Sequence, residues 1–108
     1  MRRLPPLALL AAAFLTGCGG GASQSDQDRA VAEAKQAYDD AKSNGTSFSR
    51  GPCIAERLPG LSDWVADIAH DPREPVDDQP ANQCERYAAG QAHHFVELDP
   101  SGNLIRAE

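Results

Sequence analysis

The feature that most restricts this chain is an apolar run near its beginning. It extends from Leu7 to Leu15 and follows two arginines, Arg2 and Arg3. A membrane-spanning helix needs about 20 apolar residues, and this run is much shorter. A basic start followed by such a run is the layout of an export signal, which is removed from the mature protein. The folded part must therefore be built from the residues that follow.

The most specific motif comes directly after the apolar run. Leu15-Thr16-Gly17-Cys18 resembles the lipobox of bacterial lipoproteins. The resemblance implies cleavage before Cys18, lipidation of its thiol and fatty acyl chains such as palmitate on the mature protein. Two or three acyl chains anchor a protein firmly to a bilayer. We expect residues 1–17 to be the signal peptide and residues 18–24 a flexible tether. The protein would lie on the extracytoplasmic face of the cell membrane or of an outer membrane.

The cysteine count agrees with export. Lipidation of Cys18 would leave Cys53 and Cys84 as one pair in an oxidising compartment, where disulfides persist. Their spacing excludes a C-x-x-C redox motif, and two isolated cysteines are a poor ligand set for zinc. We interpret the pair as a structural disulfide that closes a loop of about 32 residues and stabilises the fold by about 3–4 kcal/mol.

The charge of the mature chain excludes one class of partner. Because two arginines lie in the signal, the chain from Cys18 onward has 8 Lys and Arg against 16 Asp and Glu. Nucleic acids need a basic footprint on the protein, so we expect no nucleic-acid binding. The acidic surface leaves a cation or a basic partner possible, although such surfaces are usually just solvated.

Residues 25–45 are expected to form a helix that precedes the compact domain. Ser25 and Asp28 have the spacing of a capping box, and Asn44-Gly45 is a stop signal. Its apolar stripe repeats at intervals of three and four residues: Val31, Ala34, Tyr38 and Ala41. This alanine-rich stripe fits packing on the domain, pairing with another chain or a semi-rigid stalk.

Residues 46–108 are expected to form a small disulfide-stapled domain of the α+β class. Residues 52–58 and 83–89 have the turn residues of two short helices, which the disulfide would join. Residues 94–98 and 104–107 flank the turn sequence Asp99-Pro100-Ser101-Gly102-Asn103, which predicts a β-hairpin.

A third strand is expected because two strands alone are only marginally stable. Residues 64–70 fit either a strand or a helix, and their Trp, Val and Ile favour the strand. The prediction is a three-stranded antiparallel sheet with helices on one face. Residues 71–81 contain three prolines and are predicted to be a long loop.

The histidines form the one cluster that could carry chemistry. His93 and His94 begin the hairpin, and His70-Asp71 follows the other predicted strand. If those strands are neighbours, His70 and one of the other two could converge with a nearby carboxylate such as Asp71. Imidazole and carboxylate suit zinc or another divalent metal. The plainer interpretation is a set of surface histidines, because no H-x-H or H-x-x-x-H spacing is present.

These observations favour a non-enzymatic binding or interaction module of the cell envelope, anchored through Cys18 and contacting an envelope protein or a ligand. The serines lack a G-x-S-x-G setting, and no cofactor motif is found. The alternatives are a divalent-metal-binding protein or metal-dependent enzyme using His70 and His93 or His94, and a tether that self-associates through its long helix.

Overall fold

The computed structural model describes residues 22–108, so the predicted signal peptide and Cys18 lie outside the described residues. The helices and strands are α1 (Gln24–Ser43), β1 (Cys53–Ala55), β2 (Trp64–Ile68), α2 (Glu85–Ala88), β3 (His94–Leu98) and β4 (Leu104–Ala107). Two short 3-10 helices, Pro75–Asp78 and Pro80–Asn82, lie in the segment predicted to be a loop. Within the described part, no helix combines the length and apolar character needed to cross a membrane.

The sheet has four strands in the order β1-β2-β3-β4, and its central pair is parallel. The α+β class is confirmed, whereas the three-stranded antiparallel sheet is wrong in strand number and in the direction of the central pair. Parallel neighbours need a long crossover connection. Residues 69–93 supply it, and their irregular sequence concealed that role. Both faces of the central strands are covered, which explains the near-continuous burial of β2.

The disulfide between Cys53 and Cys84 is confirmed, but it joins different elements from those predicted. Residues 52–58 do not form a helical turn, because they contain β1, which pairs antiparallel with β2. Cys84 caps α2 instead of lying within it. The bridge therefore ties the crossover to an edge strand and holds it against one face of the sheet.

Helix α1 covers the opposite face, which we call the inner face. Ala30, Ala34 and Tyr38 are buried there. They pack in one cluster with alternating strand residues, including Trp64, Ala66, Ile68, Val96 and Leu98. Of the three interpretations of this helix, packing on the domain is the one found.

The start of α1 differs from the prediction. Its N-cap is Ser23, whose hydroxyl accepts a hydrogen bond from the Asp26 backbone N–H at 3.1 Å. Ser25 lies in the first turn and is exposed. The predicted end is confirmed, since Asn44 is the C-cap and Gly45 has a positive φ of 82°.

The β3–β4 hairpin is confirmed, and its turn explains the glycine at position 102. The Asp99 carboxylate accepts hydrogen bonds from the backbone N–H groups of Ser101 and Asn103. Gly102 has a φ of 90°, and a Cβ there would lie 2.9 Å from the ring of Tyr38. The Tyr38 hydroxyl donates to the Pro100 carbonyl at 2.9 Å, which fastens the turn to α1.

Candidate functional site

The site begins with a row of charged residues across the other side of the sheet, the outer face. In the parallel register Asp67 of β2 lies directly opposite Glu97 of β3, and Glu97 lies opposite Arg106 of β4. Directly opposed residues share one face, and like charges placed so are destabilising. The fold therefore sets two carboxylates side by side, and of the two only Glu97 has an arginine directly opposite it on the next strand.

The nearly buried side chain of Glu97 forms ion pairs with two arginines. One carboxylate oxygen accepts from Arg73 at 2.8 Å, and the other accepts from Arg106 at 3.3 Å. Arg73 also binds Asp78 at 2.8 Å, and Arg106 lies 3.5 Å from the Glu108 carboxylate. The hydrogen bonds to Glu97 and Asp78 hold the Arg73 pKa above its ordinary value. Both guanidiniums are thus committed to carboxylates of this chain.

Asp67 has no such partner. Its Oδ1 is the one buried side-chain polar atom in residues 22–108 that makes no hydrogen bond. Burial disfavours the charged carboxylate, and the neighbouring charge of Glu97 adds to that effect, so the pKa of Asp67 is raised to about 7. A buried polar atom without a partner costs free energy and needs an explanation. Asp67 is therefore the residue around which a function can be argued.

A cavity of about 140 Å³ opens beside Asp67. Glu97, Arg73 and Arg106 form its charged side, and Phe95 and Tyr87 form an aromatic side. The Tyr87 ring meets the Phe95 ring edge-on with centroids 5.2 Å apart. The remaining lining residues are Val65, Gln83 and Cys84. The cavity lies between the outer face and the crossover, so both the disulfide and the sheet determine its shape.

The crossover is shaped by a buried carboxylate, Asp77. It accepts hydrogen bonds of 2.9 Å from the backbone N–H groups of His70 and Glu74, and its other oxygen lies 2.9 Å from the His70 Nδ1. Burial raises the pKa of Asp77, but the hydrogen bonds from Glu74 and His70 outweigh it and hold the pKa below its usual value. This network fixes the loop that carries Arg73.

Glycine is required where the chain passes Asp77. At Gly51, with a φ of 64°, a Cβ would lie 2.9 Å from the Ile68 carbonyl oxygen and would also collide with the Asp77 carboxylate. The close approach therefore explains this glycine and the burial of Asp77 together.

Glu56 positions the other end of the crossover. Its carboxylate accepts from the backbone N–H groups of Glu85 and Arg86 at 2.8 and 2.9 Å, at the start of α2. Arg86 in return donates to the Glu56 carbonyl at 2.7 Å. A carboxylate at a helix start satisfies free N–H groups there. This contact sets the helix that presents Tyr87 to the cavity.

The predicted metal ligands fall into two separate groups. His70 and Asp71 follow the end of β2, whereas His93 and His94 lie at the start of β3, which runs parallel to β2. Along a strand, six residues span about 20 Å, so His70 cannot share an ion with the other two histidines. Convergence would have required the antiparallel pairing that the structure does not have.

Each group has its own contacts. Asp71 is exposed and lines a shallow cleft with His70. His93 Nδ1 lies 2.8 Å from one oxygen of Asp63, and His94 Nε2 lies 3.7 Å from the other. The hydrogen bond from His93 lowers the pKa of Asp63. The His94 ring also stacks on buried Trp64 at 4.8 Å.

One three-residue donor group within residues 22–108 is compact enough to hold a metal: Cys53, Glu56 and Cys84. Both sulfurs are joined in the disulfide, and the Glu56 carboxylate is occupied by backbone N–H groups. This group is therefore structural in the oxidised protein.

The sequence interpretation missed Asp67, Glu97, Arg73 and Arg106. One signal was present, because β2 and β3 each carry an acid at the fourth position of an otherwise mostly apolar strand. Placing two such strands side by side in parallel brings the acids together. An antiparallel pairing, as predicted, does not place these two acids side by side.

Comparison with known proteins gives no relative for this chain: no protein family, no curated protein and no solved structure matches it.

Proposed function

We propose that this chain is a lipid-anchored, extracytoplasmic and non-enzymatic binding module of the cell envelope, with the outer-face cavity as its binding site. The observation that carries the proposal is Asp67, whose carboxyl lines a cavity of about 140 Å³ and whose buried Oδ1 makes no hydrogen bond within residues 22–108. Binding sites are typically concave, with apolar walls and a few converging polar groups. The cavity combines an aromatic wall with such groups.

The location is supported by two features. The lipobox-like sequence ending at Cys18 supports an anchored mature protein. The Cys53–Cys84 disulfide fits an oxidising compartment outside the cytoplasm. Ala22 lies four residues after Cys18, and an extended chain spans at most about 3.6 Å per residue. The start of α1 would therefore lie close to the bilayer.

The non-enzymatic character is supported by the cavity lining. Its one sulfur, Cys84 Sγ, is held in the disulfide, and its one hydroxyl belongs to Tyr87. Among the residues that line the cavity, none pairs a nucleophile with a base in the way that covalent catalysis requires. The Asp67 carboxyl, which is mostly neutral below pH 7, can still hold a ligand through a hydrogen bond.

Anchoring is tested by the intact mass of the protein purified from membranes. The expected product begins at Cys18 and carries the added mass of diacylglycerol and acyl chains. The matched control is Cys18→Ser, which retains the shape but lacks the thiol and should yield no lipidated product. A wild-type product without lipid would contradict the anchoring part of the proposal.

The binding part is tested by a nuclear magnetic resonance screen of the mature protein in detergent against small acidic, basic and neutral compounds. At least one compound should bind saturably and shift the amide signals of Val65, Asp67, Phe95 and Glu97. If no compound of any class perturbs these signals, the cavity is not a binding site.

A second candidate function is divalent-metal binding, now restricted to the group of Asp63, His93 and His94, whose donor atoms would have to move closer together to hold an ion. The supporting observation is that both imidazoles approach the same carboxylate. Zinc titration should then give one site that disappears in His93→Asn, while His70→Asn retains it. A metal-free protein whose spectrum is unaltered by zinc would exclude this function.

A further inference from the structure

We propose that the outer-face cavity binds a small organic cation, a primary ammonium or a guanidinium group, whose N–H groups donate to the carboxylate of Asp67. This inference rests on the proposed binding function and names the chemical class of its ligand. The cavity, the unpartnered oxygen and the arrangement of the neighbouring ion pairs support it.

The Oδ1 of Asp67 lacks a hydrogen-bond donor in the described part of the chain. A carboxylate oxygen is an acceptor, and within residues 22–108 no donor reaches Oδ1. A cationic donor supplies a hydrogen bond and an opposite charge at once, and charge-assisted hydrogen bonds are the stronger kind. A cation therefore fits the Asp67 carboxylate better than a neutral donor does.

An anionic ligand is excluded, although two arginines line the cavity. Glu97 already occupies the position that an anionic ligand would take, with one carboxylate oxygen on Arg73 and the other on Arg106. Asp78 and Glu108 take further contacts of the same guanidiniums. An acidic ligand would have to displace a carboxylate that the fold itself holds in place.

The size and the lining of the cavity also suit a small organic cation. A cavity of about 140 Å³ is close to the ~150 Å³ engineered cavity that holds benzene, so a ligand group of about six non-hydrogen atoms fits. Phe95 and Tyr87 offer apolar contact for its carbon part. Phe95 already receives a cation on its ring, because the Arg106 guanidinium lies 5.1 Å from the ring centroid.

The net negative charge of the mature chain also favours a cationic ligand. From Cys18 onward the chain has 16 acidic against 8 basic residues. A surface of this sign raises the local concentration of cations and repels anions. The long-range charge and the local acceptor thus favour the same class of ligand.

The test uses n-butylammonium chloride as the probe, with 1-butanol as a neutral analogue and butyrate as an acidic one, titrated into the mature protein. Butylammonium should bind saturably, and the largest shifts of amide signals should be those of Asp67 and Glu97. Both analogues should bind at least tenfold more weakly, because they cannot form the charge-assisted hydrogen bond. If butanol or butyrate binds best, the cavity is a binding site for another class and the cation proposal is wrong. If none of the three binds, the cation proposal is also wrong.

Two variants locate the interaction. Asp67→Asn keeps the shape of the side chain and should weaken butylammonium binding by about 10- to 100-fold. Asp39→Asn removes the same charge from an exposed position of α1 and should leave the affinity within about twofold, since exposed charges are largely screened. Equal affinities in the two variants would show that only the overall charge attracts the cation.

The pH dependence provides an independent readout. The charges that act on Asp67 are those of Glu97 of β3, Arg106 of β4, and Arg73 and Asp77 of the crossover. Glu97 and both arginines are held in ion pairs. Ionisation of Asp67 should therefore dominate, and the affinity for butylammonium should rise as the pH increases through about 7. An affinity that is constant from pH 5.5 to pH 8.5 would contradict the assignment.

The same chemistry could come from a free amine or from a lysine side chain of a partner protein. Nα-acetyl-lysine methylamide distinguishes the two sources. If it competes with butylammonium, the cavity admits a lysine side chain. If it does not compete while butylammonium binds, the ligand is a free amine.

Discussion

The two faces of the sheet solve the same problem of burial in different ways. The inner face packs apolar side chains against α1, and Ile68, Val96 and Leu98 are almost completely buried there. The outer face carries a charged row, a cavity and an unpartnered carboxyl oxygen. Folding explains every buried group of the inner face, but it does not explain Asp67. This stability cost occurs on the outer face alone, and it is the reason for proposing that the outer face binds a ligand.

The largest expected loss of stability follows removal of the disulfide. This change tests whether the crossover, residues 69–93, depends on a covalent link to stay on the outer face. The variant Cys53→Ala/Cys84→Ala should lose about 3–4 kcal/mol of unfolding free energy, because the closed loop of about 32 residues no longer restricts the unfolded chain. Chemical denaturation measures it. Amide exchange should increase most in the crossover, residues 69–93. A loss below about 1 kcal/mol would show that packing alone holds this layer.

Next in size is a cavity made in the inner face. Leu98→Ala should lower the unfolding free energy by about 3 kcal/mol, because Leu98 is 0% exposed and truncation leaves unfilled space. Leu104→Ala is the matched control on the hairpin, since Leu104 is 46% exposed. It should cost under about 1 kcal/mol. Similar losses in the two variants would contradict the assignment of the core to the inner face.

A smaller effect, of the opposite sign, is expected on the outer face. An ordinary aspartate carboxyl has a pKa of 3.8, whereas the fold raises the pKa of Asp67 to about 7. Between these values the folded chain keeps a proton that the unfolded chain releases, so stability falls as the pH rises and the full penalty is present above pH 7.

Asp67→Asn removes this penalty, and it should stabilise the protein by about 2 kcal/mol at pH 8 and by almost nothing at pH 4. The amide still lacks partners, which keeps the gain below the full linkage value. Denaturation at the two pH values measures it. Destabilisation at pH 8 would show that Asp67 is a structural residue.

The smallest effect tests how α1 is fastened to the hairpin. Tyr38→Phe removes the hydroxyl that donates to the Pro100 carbonyl and keeps the ring stacked on Phe48 at 4.6 Å. The expected loss is about 1 kcal/mol, the typical value for one hydrogen bond. Thermal unfolding of the variant beside wild type measures it. A loss similar to that of Leu98→Ala would show that the turn, more than the apolar face, holds the helix.

Local elements could be predicted from the residues, whereas their arrangement could not. The end of α1 at Asn44-Gly45 and the hairpin around Gly102 depend on backbone conformations that particular residues adopt, so their signals are local. Strand direction depends on the route of residues 69–93, which have no periodic pattern. The same limit applies to the candidate site. The sequence predicts that His70 and one of His93 and His94 converge if their strands are neighbours. The strands are neighbours, but their parallel register separates these histidines while it brings Asp67 beside Glu97.

The ionisation of Asp67 is the most direct test of whether the outer face keeps a carboxyl group without a protein partner. The measurement is a pH titration of the side-chain carboxyl carbons by carbon-13 nuclear magnetic resonance, with Asp67→Asn to assign the signal. The expected result is a midpoint near 7 for Asp67 in the free protein. A midpoint near the ordinary carboxyl value of 3.8 would contradict the account, because it would mean that Asp67 is already satisfied.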